Sequence, residues 1–185
     1  MTAIVGIAKG GQVWLGADSC GATSYYRAAF TTPKLVELST TSSSKLLLGY
    51  TTSFRFGQIL QYQVGMPHDI RKDAEEYLIR DFIPAARKSL IDHGWMKKES
   101  EREQSGAALV GYRGRLFTFQ SDLSLTEAQS GLDATGSGYE YALGAMSFAA
   151  SLGRKAEVIL EAGLRAAATF TPGVMEPFTI RKVAA

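Results

Sequence analysis

The first nineteen residues, MTAIVGIAKGGQVWLGADS, restrict the fold of this chain more than any other stretch. Thr2 to Ala8 are small or β-branched and suit a mostly buried strand. Lys9-Gly10-Gly11-Gln12 then reads as a tight turn, because Gly10-Gly11 can take the positive φ that a primed hairpin turn needs. Val13, Trp14 and Leu15 return as the second strand, which runs out in Gly16-Ala17-Asp18-Ser19. Such a hairpin lays Asp18 beside the chain start. There Thr2 carries a hydroxyl, so one end of the hairpin gathers a nucleophile and a carboxylate.

The rest of the chain continues in groups. Cys20 to Thr32 reads as a polar and aromatic loop, Lys34–Leu38 as a half-buried strand, and Lys45–Tyr50 as a buried one. Thr51-Thr52-Ser53 offers several N-caps for a helix running toward Val64. Asp69 is the expected cap of a long second helix reaching about His93, with a kink at Pro84. MKKESEREQ, from Met96 to Gln104, reads as a solvated linker. A second hairpin is expected over Gly106–Tyr112 and Arg115–Phe119, turning at Arg113-Gly114. A strand within Ala128–Thr135, a turn at Gly136-Ser137-Gly138, and helices over Tyr139–Ala150 and Arg154–Ala168 follow. Phe178–Val183 closes as an edge strand. Strands, helices, strands, helices and a strand favour an α+β fold, with two helix pairs covering two antiparallel sheets.

Composition narrows the chemistry. At 185 residues the chain is most simply one domain, residues 1–185, and a net charge of +2 points to neither nucleic acid nor a membrane surface. No apolar run approaches the roughly 18 residues that span a bilayer, and no secretory signal pattern is visible, so a cytoplasmic protein is expected. One cysteine, Cys20, excludes an internal disulfide framework. Two histidines, His68 and His93, without HExxH or a His/Cys cluster argue against a transition-metal enzyme, so no metal and no cofactor is expected.

Methionine followed by a small residue is a good substrate for removal of the initiator. With Met1 gone, Thr2 would hold a hydroxyl and a free α-amine, whose reference pKa of about 7.7–8.0 leaves a useful neutral fraction near pH 7. That amine can serve as general base for its own side chain. A nearby ammonium would lower the amine pKa further, and a carboxylate would hold the ammonium in place.

At this point the chain resembles the proteasome β-subunit and HslV-like peptidase family of N-terminal nucleophile hydrolases. The resemblance rests on TAIVGIAKGGQVWLGADS, Pro33-Lys34 and the Gly136-Ser137-Gly138 turn before a helix, and it runs over most of the chain. It implies a four-layer αββα sandwich and a threonine-type endopeptidase. By this likeness Thr2 matches the nucleophile, Asp18 the carboxylate that orients a lysine, Lys34 that lysine, and Ser137 the serine beside the threonine amine. The Tyr50-Thr51-Thr52 junction matches the side of the substrate pocket and the oxyanion donor, where the family usually has glycine and this chain has Thr52. Cys20 and Ala22 are further expected substrate-binding positions. The likeness also implies a homo-oligomeric ring acting on unfolded polypeptides and, more weakly, an ATP-dependent unfoldase partner; this chain has no GxxxxGK[ST] motif of its own. Two other readings share the pattern: an inactive structural subunit of the same fold, and a small-molecule amidase. Individually the residues have ordinary roles as well, Asp18 in a turn, Lys34 on the surface and Ser137 as the cap of the helix at Tyr139.

Overall fold

A computed structural model of the chain describes residues 2–23, 25–40, 44–70, 73–99 and 102–184. The opening hairpin forms as expected: β1 (Ile4–Lys9) pairs with β2 (Gln12–Ala17), Ile4 opposite Ala17 and Lys9 opposite Gln12, with Gly10 and Gly11 at φ +58° and +72°. A short ribbon follows, β3 (Cys20–Ala22) against β4 (Arg27–Ala29), inside what reads from sequence as loop. Then come β5 (Leu35–Ser39), β6 (Lys45–Tyr50) and α1 (Phe54–Tyr62). Ser53 caps α1, its side chain accepting from the Arg55 N–H.

The second helical region departs from expectation at its start. Asp73, not Asp69, accepts from the Glu76 N–H and opens α2 (Ala74–Tyr77). Asp69 is instead buried, and its carboxylate accepts from the Tyr112 hydroxyl and from Arg113 Nη2 (2.8 Å). The Pro84 kink takes the form of a π-helical turn, Leu78–Phe82, leading into α3 (Ile83–Asp92). Proline has no N–H to donate to the carbonyl four residues back, which relaxes the regular helical ladder there.

Within the stretch read as a solvated linker, β7 (Lys97–Glu99) and β8 (Arg102–Gln104) form a small ribbon; residues 100 and 101 lie outside the described ones. The chain ends with β9 (Ala108–Tyr112), β10 (Arg115–Phe119), β11 (Leu125–Glu127), β12 (Leu132–Thr135), α4 (Tyr139–Ser151), α5 (Ala156–Phe170) and β13 (Thr179–Ala184). One antiparallel sheet has the order β12-β1-β2-β13 and the other β11-β10-β9-β6-β5.

Three apolar cores hold these elements together. Ile4, Val13, Leu15 and Val183 of the first sheet meet Leu35, Leu47, Leu109 and Leu116 of the second. The opposite side chains of β1, Val5 and Ile7, pack against Met146, Ile159, Leu160 and Leu164 of α4 and α5. On the far side, Leu46, Leu48, Val110 and Phe117 pack against Phe56, Ile59, Tyr77, Leu78, Phe82 and Leu90. The strand period of two assigns alternate β1 residues to two different cores, so this strand is buried on both faces. Each fully buried leucine or isoleucine contributes about 2 kcal/mol. A strand fixed from both sides is a rigid platform for whatever stands at its start. No helix among the described residues is long and apolar enough to cross a membrane.

Candidate active site

Where β1 begins and β2 ends, the backbone itself ties the two strands, Asp18 N donating to Ala3 O (3.3 Å). The Asp18 side chain turns back into this junction. Its Oδ1 accepts from Ala3 N (3.0 Å) and Lys34 Nζ (2.8 Å), and its Oδ2 from Cys20 N (2.8 Å). A carboxylate that accepts two backbone N–H groups and an ammonium is held in one orientation. Lys34 sits just before β5 with its three donors directed at three oxygens: Asp18 Oδ1, Cys20 O (2.7 Å) and Thr2 Oγ1 (3.0 Å). Burial pushes the Lys34 pKa below its ordinary 10.5, and the Asp18 charge opposes that shift. Burial also raises the Cys20 thiol pKa, with the Asp18 charge adding to it, which keeps the sulfur protonated beside the cluster.

Across the junction, Thr2 N donates to Ser137 Oγ (3.2 Å), and Ser137 Oγ in turn donates to Thr2 O (3.4 Å). Gly136 makes this approach possible. It holds φ +97°, and a Cβ there would lie 2.3 Å from Thr2 O. The helix cap expected of Ser137 is not formed: Gly138 occupies the N-cap of α4 without any side-chain cap bond.

The wall opposite Thr2 comes from the β6–α1 junction. Tyr50 grips two successive carbonyls of the Pro33-Lys34 segment, its N–H donating to Lys34 O (3.1 Å) and its hydroxyl to Pro33 O (2.8 Å). Its buried phenol lies against Gly57, with a pKa pushed by burial to about 12. Thr51 and Ser53 spend their N–H groups on Ala107 O and Thr51 O. Thr52 between them stands at φ +73°, left-handed backbone that a β-branched residue rarely adopts. Together these residues enclose a recess of about 90 Å³, lined by Thr2, Lys34, Cys20, Ala22, Tyr50 and Thr52 among others. A second, more apolar groove adjoins it at Ala22, Tyr26, Phe30 and Phe54.

No family model and no curated protein matches the sequence. Solved structures do match. Thiobacillus denitrificans BPH in complex with epoxomicin superposes at TM-score 0.80 and 20% identity, over 99% of this chain and 98% of that one. Eukaryotic HslV from Trypanosoma brucei gives TM-score 0.70 and 17% identity over 100% of both chains. A chain of the Anbu helical assembly from Pseudomonas aeruginosa gives 0.67 and 12%, over 99% of this chain and 81% of that one. The fold is that of the proteasome-like N-terminal nucleophile hydrolases.

On this proteasome-like fold the eight residues singled out from sequence fall around one point. Thr2, Asp18, Lys34 and Ser137 form a continuous chain of hydrogen bonds. Tyr50, Thr52, Cys20 and Ala22 line the adjoining recess, although Tyr50 does so as a buried clamp on the Lys34 segment. Two contributions have no side-chain signature in the sequence: the Cys20 carbonyl as third acceptor for Lys34, and Gly136 as the spacer against Thr2. Glycine beside Ser137 could have signalled the latter. Between α5 and β13, Pro172 O accepts from Arg27 Nη1 (2.6 Å), and the buried Thr171 hydroxyl has no hydrogen-bond partner among the described residues. No group of three or more metal-ligating side chains occurs among the described residues.

Proposed function

We propose that the chain is a threonine-type endopeptidase subunit, with Thr2 as N-terminal nucleophile after removal of Met1. One observation carries this reading: the Lys34 ammonium bridges the Thr2 hydroxyl and the Asp18 carboxylate in a buried setting. A lysine placed only for stability would have no need of a chain-start hydroxyl as its third acceptor.

In the processed chain the Thr2 nitrogen becomes a primary amine beside Ser137 Oγ. The amine takes the hydroxyl proton as Thr2 Oγ1 attacks the scissile carbonyl, forming a C–O bond and a tetrahedral oxyanion. The Thr52 N–H is the proposed oxyanion donor, a type of contact worth about 3–4 kcal/mol in the barrier. Collapse breaks the C–N bond, and the protonated amine returns its proton to the leaving nitrogen. The same amine then deprotonates water, which hydrolyses the acyl ester and restores Thr2. Lys34, through its charge, keeps the free amine neutral at lower pH, and Asp18 keeps Lys34 in place.

The three apolar cores support the four-layer αββα order that this reading implies. The neighbours support assembly as well, since one is a chain of the Anbu helical assembly. We extend the reading to a closed homo-oligomeric chamber in the cytoplasm acting on unfolded polypeptides, with an ATP-dependent unfoldase as feeder. The test is hydrolysis of a fluorogenic peptide by the processed chain and by Thr2→Ala. Turnover by the first and none by the second is expected; equal rates would overturn the proposal. The strained Thr52 backbone favours one competing reading, an inert structural subunit, which predicts a processed assembly without turnover. Turnover of small amides by an unassembled chain would point to the amidase instead.

A further inference from the structure

Past Gly136 lies a cavity of about 420 Å³ that the chemistry at Thr2 does not use. Thr118 of β10, the following Gln120, Asp133 and Thr135 of the edge strand β12, Gly136 and Tyr139 line it. It shares no lining residue with the recess at Cys20, Ala22 and Thr52. Because Gly136 abuts Thr2 O, Thr2 stands between two separate hollows. Asp133 is the one charged residue lining the second. Its half-buried carboxylate is fixed by two donors: Oδ1 accepts from Ala134 N (2.8 Å) and Oδ2 from the buried Thr118 hydroxyl. Tyr139 donates its hydroxyl to Glu140 Oε1 (3.3 Å), a carboxylate as well. Asp18, Asp69 and Glu176 each hold a lysine or arginine, whereas Asp133 has no ion pair among the described residues. A fixed carboxylate lining a cavity without a cation of its own favours one brought from outside.

We infer that this cavity receives the part of the substrate that leaves, and that Asp133 selects a lysine or arginine there. The inference rests on the peptidase reading above. In that reading the Thr2 amine returns its proton to the leaving nitrogen, so the two must come within hydrogen-bond reach. The Thr2 nitrogen lies at Ser137 Oγ (3.2 Å), which starts the leaving segment over Gly136-Ser137, at the mouth of the cavity. Asp133 stands three positions back along β12 from Gly136, about 10 Å at roughly 3.3 Å per strand residue. An extended leaving segment covers that distance in about three residues, and the long stem of lysine or arginine adds reach. The selected cation is therefore at the second to fourth residue after the scissile bond.

Two internally quenched peptides test it, identical before the scissile bond and carrying Lys or Glu at the third residue after it. The processed chain is expected to cleave the lysine peptide with about tenfold higher kcat/KM. That ratio should fall to about one in Asp133→Asn. In wild type alone it should shrink as salt rises from about 0.1 to about 1 M, where the Debye length drops from roughly 10 to roughly 3 Å. A wild-type ratio near one, a ratio unchanged in Asp133→Asn, or one indifferent to salt overturns the inference. Binding gives a readout that needs no turnover. A labelled tetrapeptide matching the leaving half, with Lys at its third residue, should bind the Thr2→Ala chain about tenfold tighter than its Glu counterpart. Equal binding of the two would sink the subsite. A wild type that hydrolyses neither peptide while this binding preference holds would sink the peptidase reading alone.

Discussion

Two buried ion pairs in this protein look alike at first: Lys34–Asp18 and Arg113–Asp69, each with a contact of 2.8 Å and a carboxylate side chain of 0% exposure. Their surroundings differ. Asp69 accepts from Arg113 and from the Tyr112 hydroxyl, and the arginine stays 27% exposed at the β9–β10 turn. That pair fastens the segment before α2 to the second sheet, and Tyr77, whose hydroxyl donates to Pro67 O, adds to the same anchor. Lys34 is only 4% exposed, and its remaining donors go to a carbonyl and to the Thr2 hydroxyl. A guanidinium has no neutral form to offer, whereas a buried ammonium with a lowered pKa can respond to a reaction beside it. One pair is a fastener. The other holds a charge against the Thr2 hydroxyl.

The comparison breaks most visibly at the two carboxylates. In Asp18→Asn one of the two side-chain positions becomes an NH₂ facing either the Cys20 N–H or the Lys34 and Ala3 donors, and Lys34 keeps no counter-charge. We expect a stability loss of about 3 kcal/mol by chemical denaturation, together with roughly 10³-fold slower peptide hydrolysis in the protein that remains folded. Asp69→Asn should cost a similar ~3 kcal/mol and leave the hydrolysis rate per folded molecule within about twofold of wild type. If both substitutions slow hydrolysis equally, the two pairs are not different in kind.

Lys34→Met sharpens the distinction through pH. Removing the ammonium lets the Thr2 amine return toward its reference value of about 7.7–8.0, so the acid limb of hydrolysis should move to higher pH. The sign for stability is separate. Because burial lowers the Lys34 pKa in the folded chain, the unfolded chain binds the extra proton between that pKa and 10.5, and stability rises with pH through this window. Urea titrations at rising pH should show the rise in wild type and a smaller one in Lys34→Met.

Tyr50→Phe removes only the bond to Pro33 O and leaves the N–H bond to Lys34 O. A loss of about 1 kcal/mol in stability is expected, with a small shift of the same acid limb; a change in stability alone would make Tyr50 purely a packing residue. The smallest effect belongs to Thr52→Gly, where glycine relieves the φ +73° strain. A gain of up to about 1 kcal/mol in stability with hydrolysis retained is expected.

Much of this arrangement is legible in the amino-acid sequence. The period-two pattern and Gly10-Gly11 specify the opening hairpin, and its register brings Asp18 to Ala3 without long-range information. The residues of the candidate cluster are singled out by a family resemblance, and the fold brings them together. Legibility fails where an outcome depends on distant partners. Asp69 looks like a helix cap because the sequence cannot show that Tyr112 and Arg113 reach it from the second sheet. Ser137 looks like a cap because its partner, Thr2, is 135 residues away. The β3–β4 and β7–β8 ribbons are three residues per strand, too short for periodicity to register.

The account stands on Thr2 acting as a nucleophile in its own processed chain, and intact mass after incubation with epoxomicin reads that directly. The predicted result is a chain that begins at Thr2 and gains one inhibitor mass on that residue, with no gain in Thr2→Ala. A chain shown to begin at Thr2 that stays unmodified would contradict it.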